Sequence, residues 1–130
     1  MRKIKFRGYG KDEKGKHWIY GNLLDEKLIG LVAIQDEKCH VWEVDPESVG
    51  QYTGLKDSEG EEIYEGDIIK VRTQNPYWRF RRNFVVTWGT DGWLLDGDSL
   101  YSWFSLHTLE VIGNVHDNPD LLEVEHDRRD

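Results

Sequence analysis

Apolar and polar residues alternate through most of the chain, which is the two-residue period of a β-strand with one buried face. In KIKFRGY, at residues 3–9, Ile4 and Phe6 share one side and the cations share the other. HWIYGNLL, at residues 17–24, resumes the alternation after a charged, Gly-containing turn at residues 11–16. The pattern therefore predicts a hairpin over residues 3–24.

The same period continues along the rest of the chain, with turn-forming Gly, Asn, Asp and Ser between the apolar runs. Further strands are predicted at Leu28–Gln35, Cys39–Val44, Asp67–Arg72, Asn83–Trp88, Gly92–Asp96, Leu100–Leu106 and Leu109–Val115. Asn118 followed by Pro119 favours an N-cap and a first helical position, so a short C-terminal helical turn is also predicted. The fold class is all-β, and short strands of this kind usually close into a small barrel or roll.

Length and composition predict a single domain over residues 1–130, with a loose tail at about 123–130. Six Trp, six Tyr and four Phe must supply much of the buried area. The first residues lack the apolar segment of a secretory signal, and no apolar run is long enough to span a bilayer. Cys39 is the one cysteine, which excludes an internal disulfide and fits a reducing cytoplasm.

Charge is distributed unevenly around a formal net value of −8. Counting Lys and Arg against Asp and Glu, the balance is +4 over residues 1–35, −9 over 36–67, +5 over 68–90 and −8 over 91–130. An acidic protein repels nucleic acid at long range, so only the +5 segment is predicted as an anion-binding stretch.

Residues 51–72 read QYTGLKDSEGEEIYEGDIIKVR. The residue types in this stretch suggest a structural role rather than a catalytic one. Asp57, Gly60, Gly66 and Asp67 all suit turns, because glycine accepts positive φ and Asp bonds nearby backbone amides. We therefore interpret the whole set as a structural signature. Its members are Gln51, Tyr52, Gly54, Asp57, Gly60, Tyr64, Gly66 and Asp67.

As a whole, this stretch resembles the signature segment of the YopX family, small proteins of bacteriophages and prophages. KIKFRGY, HWIYGNLL, SVGQYTGLKD and LEVIGNVHDNPDLL look like further family features in the expected order, so the resemblance covers roughly residues 2–122. It implies a β-rich fold with an SH3-like barrel or roll, and a cytoplasmic life in a bacterial host. It brings no activity and no catalytic residues to carry over.

Catalytic and metal sites receive little support from the residues. Cys39 precedes His40 in a predicted strand, where neighbours point to opposite faces, so this pair is poorly placed for nucleophilic catalysis. No zinc-ligand spacing is present. A magnesium-dependent nuclease built on Asp91, Asp96 and Asp98 is a distant possibility, since Asp is also ordinary turn chemistry. We predict no enzyme activity, no cofactor and no metal.

Two kinds of partner remain. Arginine and aromatic residues concentrate in one basic stretch, where arginine suits phosphate and aromatic rings stack on bases. These candidate surface residues are Lys70, Arg72, Tyr77, Trp78, Arg79, Phe80, Arg81 and Arg82. Because Arg, Tyr and Trp also dominate interface hot spots, we favour a non-enzymatic module that self-associates or binds a phage or host protein. Nucleic-acid binding through residues 70–82 is the alternative.

Overall fold

The computed structural model describes residues 4–12, 15–26, 31–72, 83–89 and 92–122. These residues are mostly β, in antiparallel sheets with one short α-helix among them, so the predicted β-rich class is confirmed. The chain divides into two compact units, residues 1–54 and residues 55–130. The single domain over residues 1–130 stays a prediction.

The first unit is built on a long hairpin and two shorter strands. Its strands are β1 Phe6–Asp12, β2 Gly15–Glu26, β3 Leu31–Gln35, β4 Val41–Glu43 and the first part of β5 Gly50–Lys56. They lie in the order β4-β3-β2-β1-β5. The predicted hairpin is present, and its pairing runs from Phe6 opposite Gly21 to Asp12 opposite Gly15.

Strand β2 changes partners at Gly21, the last of its residues to pair with β1. Residues 22–26 pair with β3 instead, beginning with Asn22 opposite Gln35. A Cβ at Gly21 would collide with the Gln35 carbonyl oxygen, so only glycine fits at this change of partner.

The core of the first unit is small and tightly closed. Its buried members are Ile19, Ile34 and Val44, with partly buried Phe6, Leu23, Val32, Trp42 and Val49 packed against them. Burying an isoleucine such as Ile34 contributes about 1.5–3 kcal/mol. On β1 the inward positions are Gly8 and Gly10, where a Cβ would lie 3.0 Å from the Val44 side chain and 2.9 Å from Ile19 Cγ1 respectively.

The end of β4 returns to β1 on the edge that β2 does not use. Gly10 and Val44 form an isolated antiparallel bridge, and the Asp45 N–H donates to the Tyr9 carbonyl at 2.9 Å. A 3₁₀ turn at Pro46–Ser48 follows, at the polar corner predicted from the sequence. Asp45 caps this turn by accepting from the Glu47 N–H at 3.0 Å.

The second unit contains the end of β5 and the remaining elements. These are β6 Glu62–Tyr64, β7 Asp67–Arg72, β8 Phe84–Gly89, β9 Gly92–Leu95, β10 Asp98–Ser99, α1 Leu100–Leu106 and β11 Thr108–Asn114. Five of the strands form a sheet in the order β10-β9-β8-β7-β11. The core is apolar, and its buried members are Ile63, Ile69, Val71, Phe84, Val86, Trp93, Leu95, Leu100 and Leu109.

This five-stranded sheet is open in the described residues, because β10 and β11 stand at its two ends rather than pairing with each other. The SH3-like barrel is therefore not confirmed. Instead of another strand, the turn at residues 57–61 lies along the outer edge of β11, where the Ser58 N–H donates to the Leu109 carbonyl at 2.9 Å.

Residues 100–106 were expected to form a strand, and that prediction is wrong. LYSWFSL forms helix α1, whose Leu100 is buried and whose Trp103 and Phe104 pack on the same core. These positions are related as i, i+3 and i+4, so they share one helical face. The Trp103 indole N–H donates to the Leu95 carbonyl at 2.6 Å, a contact that fixes the helix beside β9.

The C-terminal turn occupies Pro119–Leu122 as a 3₁₀ helix, at the predicted position. Asn118 is not its side-chain cap. Its Oδ1 accepts from the Asn114 N–H at 3.2 Å, which joins the turn to β11. A Cβ at Gly113 would lie 2.6 Å from Asn118 Oδ1, so a side chain at this position would displace the Asn118 amide.

Candidate interaction surfaces

The turn at residues 57–61 is organised by one buried carboxylate. Asp57 is only 7% exposed, and its Oδ1 accepts from the backbone N–H groups of Glu59 at 2.9 Å and Glu61 at 2.8 Å. Its Oδ2 accepts from the Val111 N–H at 2.8 Å. Because Val111 lies on β11, the carboxylate joins a local turn to a distant strand.

Glycine completes the same turn. The Gly60 N–H donates to the Asp57 carbonyl at 3.1 Å while Gly60 has φ of +84°. This left-handed conformation is open to glycine at no steric cost. The two signature residues of this turn therefore both have structural roles: Asp57 accepts backbone hydrogen bonds, and Gly60 adopts a left-handed conformation.

The second half of the signature is a tight turn before β7. Asp67 is 2% exposed, and its Oδ2 accepts from the Tyr64 N–H at 2.7 Å. Between them Gly66 has φ of +90°. The Gly66 N–H donates to the Val86 carbonyl, and the Gly66 carbonyl accepts from the Val115 N–H, both at 2.9 Å. The turn is therefore connected to two other segments of the unit.

The remaining signature residues lie on β5 and β6. Gln51 stands opposite Phe6 in the pairing of β5 with β1, and Tyr52 is buried. Gly54 has φ of +87°, and the Tyr64 hydroxyl donates to Glu62 at 3.0 Å. These contacts support the structural interpretation of the signature, which stays a prediction until variants are measured.

The basic segment predicted as a partner surface is described only at its beginning. Lys70 and Arg72 are both exposed on β7. Arg72 Nη2 lies 3.1 Å from Glu110 Oε1, and Glu110 also stands directly opposite Lys70 in the sheet. The charge of Arg72 is thus compensated locally. Tyr77, Trp78, Arg79, Phe80, Arg81 and Arg82 lie outside the described residues.

The hairpin of β8 and β9 presents a large aromatic side chain to solvent. Trp88 is 57% exposed, whereas Trp93, directly opposite it, is only 6% exposed. The two rings meet edge to face, with centroids 4.7 Å apart. Trp88 is thus an exposed aromatic residue whose ring packs on a buried neighbour, a contact that favours this orientation of the indole.

In the first unit a second turn, at residues 36–40, is also organised by an aspartate. Asp36 Oδ1 accepts from the N–H groups of Lys38 at 3.0 Å and His40 at 2.9 Å, and Oδ2 accepts from the Trp42 indole N–H at 2.9 Å. The Trp42 bond is the largest of the effects that hold the pKa of Asp36 below its usual value of 3.8. An open cleft of about 660 Å³ borders this turn and the neighbouring part of β2.

Cys39 lies in this turn and not in a strand, because β4 begins only at Val41. It is exposed and has φ of +67°. The expectation of a strand from Cys39 is therefore wrong at its first two residues.

The outer surface of the β1–β2 hairpin combines cations and aromatic rings. Alternate residues of each strand share this side, and residues directly opposite each other share it too. We call it the basic-aromatic face, and it consists of Arg7, Tyr9, Lys11, Lys16, Trp18 and Tyr20, with Lys5, just before β1, continuing the same alternation. The Arg7 guanidinium lies 4.6 Å from the Trp18 ring centroid, and Tyr9 stacks on Trp18 with centroids 4.4 Å apart.

Of the carboxylates considered for a metal site, Asp96 lies in the turn between β9 and β10, and Asp98 begins β10. Asp96 has φ of +53° and Gly97 has φ of +83°, the pair of positive values that a two-residue hairpin turn requires. Asp91 lies outside the described residues. Within the described ranges, no group of three or more His, Cys, Asp or Glu side chains is placed to hold a metal ion. In the same ranges, no helix has the length and apolar character needed to cross a membrane.

The family description YopX protein matches residues 5–123, which is nearly the whole chain. The chain belongs to the YopX family. The resemblance inferred from the signature stretch is thereby confirmed. The search of curated proteins found no match.

Among solved structures, the YopX chain is similar to one titled "Crystal structure of protein EF1440 from Enterococcus faecalis". The two are 23% identical, with a TM-score of 0.61, over 95% of this chain and 100% of that one. At this level of identity the similarity extends to the fold alone.

The basic-aromatic face of the YopX chain was missed by reasoning from sequence, although half of its signal was visible. Alternation placed Lys5 and Arg7 on one side of β1. Trp18 and Tyr20 alternate in the same way on β2. What was lacking is the register of the hairpin, which sets Arg7 opposite Tyr20 and Tyr9 opposite Trp18.

Proposed function

We propose that this YopX chain is a non-enzymatic interaction module whose first partner is a second copy of itself. In this proposal it is an accessory protein of a bacteriophage or prophage, acting in the cytoplasm of the bacterial host. A phage or host protein would be a further partner. The SH3-like description of the signature region belongs to the same proposal.

The observation that carries the proposal is the exposure of Trp88 together with the contact of its ring with Trp93. Removing a large aromatic ring from water is favourable, and tryptophan is among the residue types enriched in interface hot spots. A ring already held by Trp93 loses little further freedom on binding, so more of the burial energy is retained as affinity. Exposed tryptophan in an ordered hairpin therefore favours a protein partner.

Sedimentation equilibrium tests self-association directly. We expect the full chain to form oligomers at micromolar concentration, and to keep them at high salt because the contact is apolar. Trp88→Ala should weaken the association by about tenfold or more, since a hot-spot tryptophan contributes about 2 kcal/mol.

Tyr101→Ala is the matched control, because Tyr101 is an aromatic residue of the same unit and is 65% exposed. It should leave the association unchanged. A chain that stays monomeric at all concentrations, or equal loss in both variants, would contradict self-association through Trp88.

The second candidate function is nucleic-acid binding through residues 70–82. Lys70 favours it, because its exposed side chain forms no ion pair with any described residue. Arg72 contributes less because Glu110 already binds it. Replacing Arg79, Arg81 and Arg82 together by alanine should reduce affinity for DNA or RNA and flatten its salt dependence. Unchanged binding by that variant would exclude this segment.

A further inference from the structure

Two lysines face each other across the β1–β2 hairpin. Lys11 stands directly opposite Lys16 in the register, and both are exposed. Like charges in this position destabilise a hairpin. Neither ammonium group makes an ion pair or hydrogen bond with a side chain that the structure describes, a set that leaves out Asp12, Glu13 and Lys14. The hairpin therefore holds two close positive charges that the described residues leave uncompensated.

A shallow cleft adjoins this lysine pair. It has a volume of about 330 Å³ and is lined by both lysines, by Tyr9 and by the acids Glu43 and Asp45. Neither acid is ion-paired with either lysine in the described structure. Asp45 Oδ1 instead accepts the Glu47 N–H at 3.0 Å, which directs that carboxylate to its own turn.

Aromatic rings continue the surface from the lysine pair along both strands. Tyr9 and Trp18 form the next opposite pair, and Tyr20 follows them on β2 with 44% exposure. Arg7 is only 7% exposed, so it supports the Trp18 ring rather than offering a free cation. At the far end Lys5 is half-buried, with its ammonium 5.5 Å from the Tyr52 ring centroid.

The face has cations at its two ends and aromatic rings between them, an arrangement that suits one class of polyanion. From Lys5 to Lys11 the strand spans about 20 Å, at roughly 3.4 Å per residue. No acid occupies position 5, just before β1, or the outward positions 7, 9 and 11 of β1 and 16, 18 and 20 of β2. Single-stranded nucleic acids bind such surfaces, because phosphates contact the cations while unpaired bases stack on the rings.

We propose that the basic-aromatic face binds single-stranded nucleic acid, with Lys11 and Lys16 contacting phosphates and Tyr20 stacking on a base. Lys5 contacts a further phosphate. This site lies in the first unit, on residues different from both Trp88 and the 70–82 segment, so it stands or fails independently of the proposed function.

The test is titration of fluorescently labelled 15-nucleotide oligothymidylate and oligouridylate with the full chain at 50 and 200 mM salt. With three phosphate contacts, affinity should fall by about 20-fold between these salt concentrations, since log K changes by about −0.7 per contact and decade of salt for single strands. The two labelled strands show whether DNA or RNA is preferred. A duplex of the same length should bind more weakly, because its bases are not free to stack.

Lys11→Glu separates binding from folding. It replaces a like-charge pair with a cross-strand pair of opposite charges, so the melting temperature should stay the same or rise. Oligonucleotide affinity should nevertheless fall by about tenfold or more as phosphate contacts are lost. Lys56→Glu is the matched control, because Lys56 is an exposed lysine of the second unit and belongs neither to this face nor to the 70–82 segment. It should leave affinity within about twofold, apart from the shared change in net charge.

Tyr20→Ala should weaken binding by about fivefold or more through lost stacking. Tyr101→Ala is its control, as another exposed tyrosine. Equal losses in Lys11→Glu and Lys56→Glu would overturn the proposal, as would unchanged affinity in Tyr20→Ala. Equal binding of poly-glutamate, or no binding at 50 mM salt, would also overturn it.

Discussion

The turns at residues 36–40 and 57–61 are built in the same way in the two units. In each, the first aspartate accepts through Oδ1 from the N–H groups two and four residues later. In each, its backbone N–H donates to the carbonyl four residues later and its own carbonyl accepts from the N–H three residues later. The sequences DEKCH, at residues 36–40, and DSEGE, at residues 57–61, share only the first aspartate, yet both adopt the same type of turn.

The turns differ in what the second carboxylate oxygen binds. Asp36 Oδ2 binds the Trp42 indole, six residues away, whereas Asp57 Oδ2 binds the Val111 N–H, 54 residues away. They differ also at the fourth position, where Cys39 has φ of +67° and Gly60 has φ of +84°. One turn therefore closes its own hairpin, while the other also fixes a hairpin to a distant strand.

This difference shows that a local turn acquires long-range importance through one additional acceptor atom. If so, equivalent substitutions in the two turns should have unequal effects. Two pairs of variants and one single variant test this, in decreasing order of expected effect.

Asp57→Ala should be the most destabilising change, by about 3–4 kcal/mol in the free energy of unfolding. Three amide hydrogen bonds to a buried carboxylate are lost together, and each contributes about 1.5–3 kcal/mol before the structure relaxes. Urea unfolding measures the effect. Asp36→Ala is the matched variant and should cost clearly less, because its turn is more exposed. Equal losses would show that the contact with Val111 contributes nothing.

The fourth positions should respond in opposite directions. Gly60→Ala should destabilise by about 1–2 kcal/mol, the usual cost of a left-handed conformation with a side chain. An added Cβ would meet no heavy atom within 4 Å there, so the cost comes from the backbone alone. Cys39→Gly should be neutral to stabilising by up to about 1 kcal/mol, because relief of strain is partly offset by greater unfolded-state entropy. Thermal unfolding of both variants checks the signs.

The smallest effect is expected from Trp42→Phe, which removes the indole donor but keeps an aromatic ring. The pKa of Asp36 should rise toward 3.8, because the Trp42 hydrogen bond is the main cause of its depression. In the parent chain, the ionised Asp36 stabilises the fold fully above about pH 4, and this contribution is lost as pH falls through the lower folded-state pKa. NMR titration of the Asp36 carboxyl carbon measures the change. An unchanged pKa would mean that the Trp42 hydrogen bond does not lower the pKa of Asp36, and that the backbone amides of Lys38 and His40 account for its depression.

Much of the local structure could be predicted from the sequence. β7 was predicted with its observed bounds, and the turns around Gly60, Gly66 and Gly97 follow from residues that suit positive φ. Helix α1 could not be separated from a strand, since seven residues are too short for the two periods to diverge clearly. β5 was missed because Gly54 interrupts its alternation.

Contacts between residues far apart in the sequence could not be predicted, for a different reason. The bond from Val111 to Asp57 depends on where β11 lies in the sheet, and nothing near Asp57 in the sequence encodes that position. The basic-aromatic face likewise depends on a register that a slip of one residue would invert. The basic residues 79, 81 and 82 stay a sequence-based prediction, because they lie outside the described residues.

The bonds from the 57–61 turn to Leu109 and Val111 occupy backbone groups on the side of β11 that faces away from β7. An uncovered strand at the end of a sheet is a template for pairing with other chains. Displacing the turn would expose one edge of a seven-residue strand that contains Thr, Leu, Val and Ile besides Glu, Gly and Asn. We therefore expect loss of the Asp57 carboxylate to show first as concentration-dependent precipitation on mild heating.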